Sequence, residues 1–389
     1  MTEATPTPTP PSPPVPVPLS FPAPLPASAP APAPEAKPSQ EPTQAPSQAQ
    51  EPEHTPSAAP DTPPPTEGAR TATLVISDES PPVDVIDDDE DLLDEYPPDI
   101  EELDLIHLRI LSIPALRLER FLKITKLCLR QNRIERIEGL EVLADTLTEL
   151  DLYDNAIGHI NGVEKLTKLT SLDLSFNGIK HIKRLEPLKD LLQNLYFVQN
   201  RISRIEGLEG FARLTNLELG ANRIREIEGL DSLVSLEQLW LGKNKITELK
   251  NLGTLTKLKI LSIQSNRLTE IKNLENLSEL EEFYVSDNAL TEISGLTHNP
   301  NLKVFDVTNN NISHLSGLEH VPQLQELWAS SNNLASFAEV EAQLKDKEHL
   351  ETVYLEGNPL QKDAGITYRN KVRLALPRIK QIDATYIRA

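Results

Sequence analysis

An asparagine recurs at positions 132, 155, 177, 200, 222, 244, 266, 288, 310, 332 and 358, at intervals of 22 or 23 residues until a last step of 26. Around it stands a fixed frame, L-x-x-L-x-L-x-x-N-x-I followed by I-x-x-L-x-x-L. In the second full copy the frame reads Leu147, Leu150, Leu152, Asn155, Ile157, Ile160 and Leu166. A unit this short cannot bury its own apolar face, so the copies must stack on one another. The L-x-L alternation predicts a short strand with its leucines inward. The asparagine follows where the chain turns out of the strand, and its amide can pair backbone groups that the turn leaves unsatisfied. Apolar residues three apart then predict 3₁₀ turns on the opposite side. Strands about 4.8 Å apart give eleven coils an arc on the order of 50 Å, concave on the strand side where the layers pack more closely.

The expected class is therefore an α/β repeat solenoid, a leucine-rich-repeat horseshoe with a parallel concave sheet. An open solenoid needs both ends closed. Upstream, Leu103, Leu105 and Ile110 copy the strand pattern while Leu108 stands where asparagine is due, so residues 99–123 read as a degenerate capping repeat. Regular repeats fill 124–345. The last repeat and a C-terminal cap take 346–389, after an amphipathic helical stretch from Phe337 to Leu350. Tyr368, Val372, Leu374, Leu376, Ile379 and Ile382 are expected to cover the final coil.

Residues 1–98 differ in kind. Residues 1–104 hold 27 of the 33 prolines, and their 21 acids face only Lys37 and Arg70. Of the chain's net charge of −21, −19 sits there and −2 in the rest. Such a segment lacks the large hydrophobes that offset ordering entropy, so a disordered tail with local polyproline II is expected. Within it, Val83-Asp84-Val85-Ile86 runs into five acids, Asp87 to Asp91, which resembles a SUMO-interacting motif able to add a strand to a sheet edge. Leu74-Val75-Ile76 followed by Ser77, Asp78 and Glu79 is a weaker copy. Thr5, Thr7, Thr9, Ser12, Thr55, Thr62 and Ser80 precede proline, the pattern of proline-directed phosphorylation.

Several function classes find no support in the residues. There is no P-loop, no G-x-G-x-x-G and no nucleophile elbow, so no catalytic residue and no cofactor are expected. His159 and His181 hold the same place in adjacent coils, but no carboxylate or thiolate joins them at ligand spacing, so no metal is expected. The single cysteine, Cys128, suits a reducing compartment. Neither a secretory signal nor an apolar run of about 20 residues is seen, so a soluble intracellular protein is expected.

The strand residue four before each asparagine points away from the core. In order these are Cys128, Asp151, Asp173, Tyr196, Glu218, Trp240, Ser262, Tyr284, Asp306, Trp328 and Tyr354. Five are aromatic, four acidic and none basic, in a chain with 4% aromatics, so β-propensity alone does not account for the column. Aromatics flanked by charge on an exposed face are the make-up of a protein-binding hot spot. The acids call for a basic partner and argue against nucleic acid. Glu149, Tyr153, Glu282, Glu326 and Glu356 extend the face, and Lys126 and Arg130 lie near its N-terminal end.

Coil-specific segments then carry a resemblance. Leu127-Cys-Leu-Arg-Gln-Asn132, Leu150-Asp-Leu-Tyr-Asp-Asn155, Leu241-Gly-Lys-Asn-Lys-Ile-Thr247, Gln264-Ser-Asn-Arg-Leu-Thr269, Leu350-Glu-Thr-Val-Tyr-Leu355, Asn358-Pro-Leu-Gln-Lys-Asp363 and Gln381-Ile-Asp-Ala-Thr385 resemble the protein phosphatase 1 regulatory subunit 7 family over about 101–389. The resemblance implies a non-catalytic regulator in nucleus and cytoplasm. It would bind the phosphatase catalytic subunit through its concave face and govern that subunit's maturation, availability or mitotic activity. It places partner contacts on Asp173, Tyr196, Glu218, Trp240, Asp306, Glu326, Trp328 and Tyr354; Asp151, Tyr153 and Tyr284 are secondary candidates on the same face. Tyr196 and Trp240 stand where the family usually has phenylalanine. The docking motif basic-x-Val/Ile-x-Phe/Trp used by many phosphatase partners is missing, since Lys303-Val304-Phe305 has the wrong spacing. The folded arc would then carry the binding and leave room for a motif-bearing third protein such as an inhibitor. The other reading is an adaptor for a different basic protein, because a repeat fold alone does not name its partner.

Overall fold

The computed structural model describes residues 92–387. The segment 83–91, its weaker copy and the Ser/Thr-Pro sites lie outside these residues. Twelve three-residue strands follow one another: β1 (Glu102–Asp104), β2 (Lys126–Cys128), β3 (Glu149–Asp151), β4 (Ser171–Asp173), β5 (Asn194–Tyr196), β6 (Asn216–Glu218), β7 (Gln238–Trp240), β8 (Ile260–Ser262), β9 (Glu282–Tyr284), β10 (Val304–Asp306), β11 (Glu326–Trp328) and β12 (Thr352–Tyr354). Each pairs in parallel with its neighbours in sequence, in one sheet. The register is constant: Leu127 faces Leu150, Leu150 faces Leu172, and Leu172 faces Leu195. The inward leucines therefore form one stack, and the repeat phase read from the asparagines is the phase of the sheet.

The asparagines do what the turn requires. Asn155 accepts the N–H of Ile134 on Oδ1 at 3.0 Å and donates through Nδ2 to the carbonyls of Leu129 and Leu152 at 2.9 and 3.1 Å. One side chain thus satisfies backbone groups of its own coil and of the coil before. The residue preceding each ladder asparagine has a left-handed backbone, with φ of 55° at Gln131, Asp154, Phe176, Gln199, Ala221 and Lys243. That conformation costs a side chain on the order of 1 kcal/mol. It also aims the same residue's N–H at the next coil, as in Gln131 to the Tyr153 carbonyl at 2.8 Å, so the strain is offset by a ladder bond.

The outer side is less regular than the expected 3₁₀ turns. Such turns occur at Pro114–Leu116, Leu118–Arg120, Leu140–Leu143 and Glu186–Leu188. Elsewhere in the regular coils the chain makes isolated turns closed by single bonds such as Leu233 N–H to the Leu230 carbonyl. Gly162 marks the tightest approach on this side. With φ of 76°, a Cβ there would lie 1.9 Å from the Ile137 carbonyl oxygen.

Both ends are closed. Leu93 is buried, and Tyr96 and Ile100 pack on the core, so apolar packing begins upstream of residue 99. Leu108, which has no amide to offer, leaves its own N–H and that of Ile110 to Oδ1 of Asn132. At the other end come α1 (Phe337–Leu344), capped by Ser336 Oγ, then α2 (Pro359–Ala364), α3 (Tyr368–Ala375), and a hairpin of β13 (Gln381–Ile382) and β14 (Thr385–Tyr386). β14 runs antiparallel and ends the parallel stack. Tyr368, Val372, Leu376, Ile379 and Ile382 are buried as expected, but Leu374 is 77% exposed on the outer face of α3. Its neighbours Val372 and Ala375 fill the helix–coil contact, and the helical period turns Leu374 away. Among the described residues no helix is long and apolar enough to cross a membrane.

Candidate protein-binding face

The column four residues before each asparagine lies on the outer surface of the sheet, and register brings its members side by side. Asp151 faces Asp173, Asp173 faces Tyr196, Tyr196 faces Glu218, and Glu218 faces Trp240. The expectation of an exposed column needs correction. Its members are half-buried, and Ser262 and Asp306 are buried outright, at 1% and 7% exposure. Strand spacing is too small for large neighbours to leave room for water around a short side chain.

In the N-terminal third the chain sets two of its own cations, Arg130 and Lys126, among four carboxylates. The Arg130 guanidinium lies 2.6 Å from an Asp151 carboxylate oxygen and 3.5 Å from one of Asp173, and stacks over the Tyr153 ring at 4.6 Å. Tyr153 in turn packs on Phe176, which is 39% exposed, with ring centroids 4.6 Å apart. Lys126 reaches Glu102 and Glu149 at 3.2 and 3.6 Å. Burial, then the charge of Asp173, push the Asp151 carboxyl up to about 6 even though Arg130 and the Tyr153 N–H act the other way.

Beyond β4 no described ion pair reaches the column. Asp151, Asp173 and Asp306 each accept a backbone N–H from two residues on, at Tyr153, Ser175 and Thr308. Among the described residues Glu218 has neither a cation nor a backbone donor. Burial, the largest cause, and to a lesser degree Asp173 lift its carboxyl to about 7, while the amide of Asn216 opposes the rise. Asn216 also reaches the Tyr196 hydroxyl at 3.4 Å.

The C-terminal half carries an aromatic row. Trp240 stacks on Tyr284 at 6.4 Å and 18°, across the small Ser262. Tyr284 meets Trp328 edge-on at 6.2 Å across Asp306, and Trp328 meets Tyr354 at 5.7 Å. Glu282 accepts from the Tyr284 hydroxyl at 2.7 Å, and Glu326 from the Trp328 indole at 2.9 Å. The Tyr354 hydroxyl accepts from Gln381 of the cap at 2.8 Å. Beside Tyr354, cap and sheet enclose an open groove of about 730 Å³ that includes Glu326, Lys380 and Tyr386. All eleven candidate residues thus lie along one surface. Asp151, Tyr153 and Asp173 form a self-paired cluster at one end, and the others run from Tyr196 to Tyr354.

Sequence reasoning missed two residues. Arg130 was read only as a basic neighbour, although its place two residues before Asn132 puts it over the acids of the next two strands. Asp383 replaces the ladder asparagine beyond the last coil. It is buried, has a left-handed backbone, and its Oδ1 accepts from Leu355 N, Glu356 N and the Tyr368 hydroxyl. His181 pairs with Glu206 at 2.9 Å, and among the described residues no group of three or more His, Cys, Asp or Glu could hold a metal.

Leucine-rich-repeat family profiles match residues 165–180, 234–276 and 278–334. Among curated proteins, 100 residues are 56% identical to the protein phosphatase 1 regulatory subunit SDS22 of Schizosaccharomyces pombe, covering 26% of this chain and 29% of that one. A further 46-residue match is 65% identical to protein phosphatase 1 regulatory subunit 7 of Mus musculus, at 12% of each chain. The matched stretches span less than a third of these relatives' lengths. Among solved structures, the internalin InlF of Listeria monocytogenes superposes with a TM-score of 0.58 at 25% identity, over 74% of this chain and 88% of that one.

Proposed function

We propose that this leucine-rich-repeat protein, homologous through its repeats to regulatory subunits of protein phosphatase 1, is itself a non-catalytic regulatory subunit that holds the phosphatase catalytic subunit on its sheet face. The observation that carries this reading is the continuous row Trp240–Tyr284–Trp328–Tyr354, flanked by Glu218, Glu282 and Glu326, to which no cation among the described residues is paired. Large aromatics held rigid by one another lose little entropy on binding, and the surrounding carboxylates favour a basic partner. Such a subunit would control the maturation, availability or mitotic activity of the enzyme in nucleus and cytoplasm.

The test is co-purification of the catalytic subunit with the wild type and with Trp240→Ala plus Trp328→Ala. Each lost anchor should weaken binding by about 2 kcal/mol or more. Retention of the enzyme by a folded double variant would refute the assignment to this face. Two finer contacts belong to the same reading. A motif-bearing inhibitor protein would join in a ternary complex, checked by adding it to the preformed pair and weighing the product. Residues 83–91 would take a SUMO domain, and unshifted amide signals of this segment on titration would dispose of that contact.

A further inference from the structure

One coil differs from its neighbours in what it leaves unused. Across β6 and the turn after it, the outward residues are Asn216, Glu218 and Gly220. The Asn216 Oδ1 is buried and finds no donor among the described residues. On the neighbouring strand the Trp240 Nε1 is likewise buried with no acceptor among the described residues, whereas the equivalent atom of Trp328 is held by Glu326. A buried polar atom left without a partner costs on the order of 1–3 kcal/mol, so two within one small patch call for an explanation. Glu218 between them is the column carboxylate with neither backbone donor nor cation, and its in-register neighbours are the aromatics Tyr196 and Trp240.

Gly220 completes the patch. Its φ is not in the left-handed region, and a Cβ there would meet only the Gly242 carbonyl oxygen at an ordinary 3.5 Å. The fold therefore does not require glycine at 220, and the preceding coil carries Val198 at the same place. Gly242 is different, because a Cβ would lie 3.0 Å from the Gln264 side chain that covers it. The missing side chain leaves a notch at Gly220, between Val198 of the preceding coil and Gly242 of the next, which Gln264 covers.

We infer that Asn216, Gly220 and the Trp240 indole N–H form a seat for one cationic side chain of the partner. This rests on the proposed phosphatase reading and names the chemistry at its centre. The aliphatic stem of an arginine or lysine passes over the bare Gly220 backbone. Its head lies between the Tyr196 and Trp240 rings, where aromatic faces favour a cation, and donates to the Glu218 carboxylate and to Asn216 Oδ1. The Trp240 N–H takes a main-chain carbonyl of the same partner segment. A cation there also lowers the carboxyl of Glu218 back toward its ordinary range, so seating it releases a proton near neutral pH.

The test is calorimetric titration of the phosphatase catalytic subunit with the full chain and three variants. Gly220→Val fills the notch with the residue the preceding coil already carries, and should weaken binding about tenfold or more with the melting temperature unchanged. Asn216→Ala, and Trp240→Phe, which keeps the ring and removes only the N–H, should each weaken it about fivefold. The heat of wild-type binding near pH 7 should depend on the ionisation heat of the buffer, and less so in Glu218→Gln. If the wild type binds while all three variants bind within twofold of it, the seat is refuted and the phosphatase reading stands. If the wild type itself fails to bind, the phosphatase reading falls and the seat falls with it.

Discussion

Replacing Glu218 by glutamine should make the protein more stable, and only at neutral to alkaline pH. The side chain is half-buried between Tyr196 and Trp240 with no cation near it, and burial raises its carboxyl from 4.5 to about 7. A pKa raised on folding means that the native state holds a proton the unfolded chain has released between these two values. Stability from this group is therefore present below pH 4.5 and is lost as pH rises through about 7. The full gap corresponds to about 3 kcal/mol at most, and partial solvent access brings the expected value to about 2 kcal/mol. Glutamine has the same shape and no charge to desolvate. In urea unfolding at pH 8, Glu218→Gln should exceed the wild type by about 2 kcal/mol. At pH 4, where both side chains are neutral, the two should coincide. A solenoid can unfold in steps, so amide exchange of the β6 and β7 strands is the sharper readout. Equal stabilities at pH 8, or a difference that does not change with pH, would refute the claim that the Glu218 charge is unfavourable in the free protein. On the proposed reading the same variant should bind the partner less well, which would make this carboxylate a trade of stability for recognition.

Other expectations follow from the same accounts. Asn244→Ala removes an acceptor for Ile224 N and donors to the Leu219 and Leu241 carbonyls, and should cost about 3 kcal/mol or more in chemical unfolding. Arg130→Gln leaves Asp151 and Asp173 facing each other; because the Asp151 carboxyl already lies near 6 and would rise further, the loss should be about 1–2 kcal/mol at pH 8 and smaller at pH 5 in paired melts. Asp383→Ala unpairs Leu355 N and Glu356 N, and should speed amide exchange in the last coil while leaving the N-terminal coils unchanged. Ser262→Val wedges apart Trp240 and Tyr284; it should shift tryptophan emission and cost about 1–3 kcal/mol in urea unfolding.

The fold was legible because its determinants are repeated and apolar. Leu150, Leu172 and Leu195 sit at one phase of the repeat, and phase is what a parallel in-register sheet preserves. The left-handed residues before the ladder asparagines were not legible. Gln131, Phe176, Ala221 and Lys243 share no chemistry; Gly357 announces the conformation, and Asp154, Asp287 and Asn309 only favour it. The ladder geometry imposes it, so it is a consequence of the asparagine and not of the residue that bears it. Asp383 was hidden for a related reason: it acts as a ladder residue at the 25th position after Asn358, inside a hairpin with no leucine frame. The face was legible as a list of residues but not as an environment. Periodicity says that Ser262 and Asp306 point outward; it does not say that the flanking tryptophans and tyrosines close over them.

That closure gives the face its organisation. From β7 to β11 the row places Ser262 and Asp306 in alternation with Trp240, Tyr284 and Trp328, and it ends on Trp328 and Tyr354 side by side on adjacent strands. Small residues let the rings meet across two strands, and the meeting holds them in place before any partner arrives. At the other end Arg130 and Lys126 spend the available cations on Asp151, Asp173, Glu102 and Glu149. A basic partner would therefore meet two cations set among the four carboxylates over β1–β4, and beyond them Glu218, Glu282 and Glu326 with no described cation paired to them. On the proposed reading this asymmetry would set both the position and the direction of a basic partner along the sheet, which a uniformly acidic face could not do.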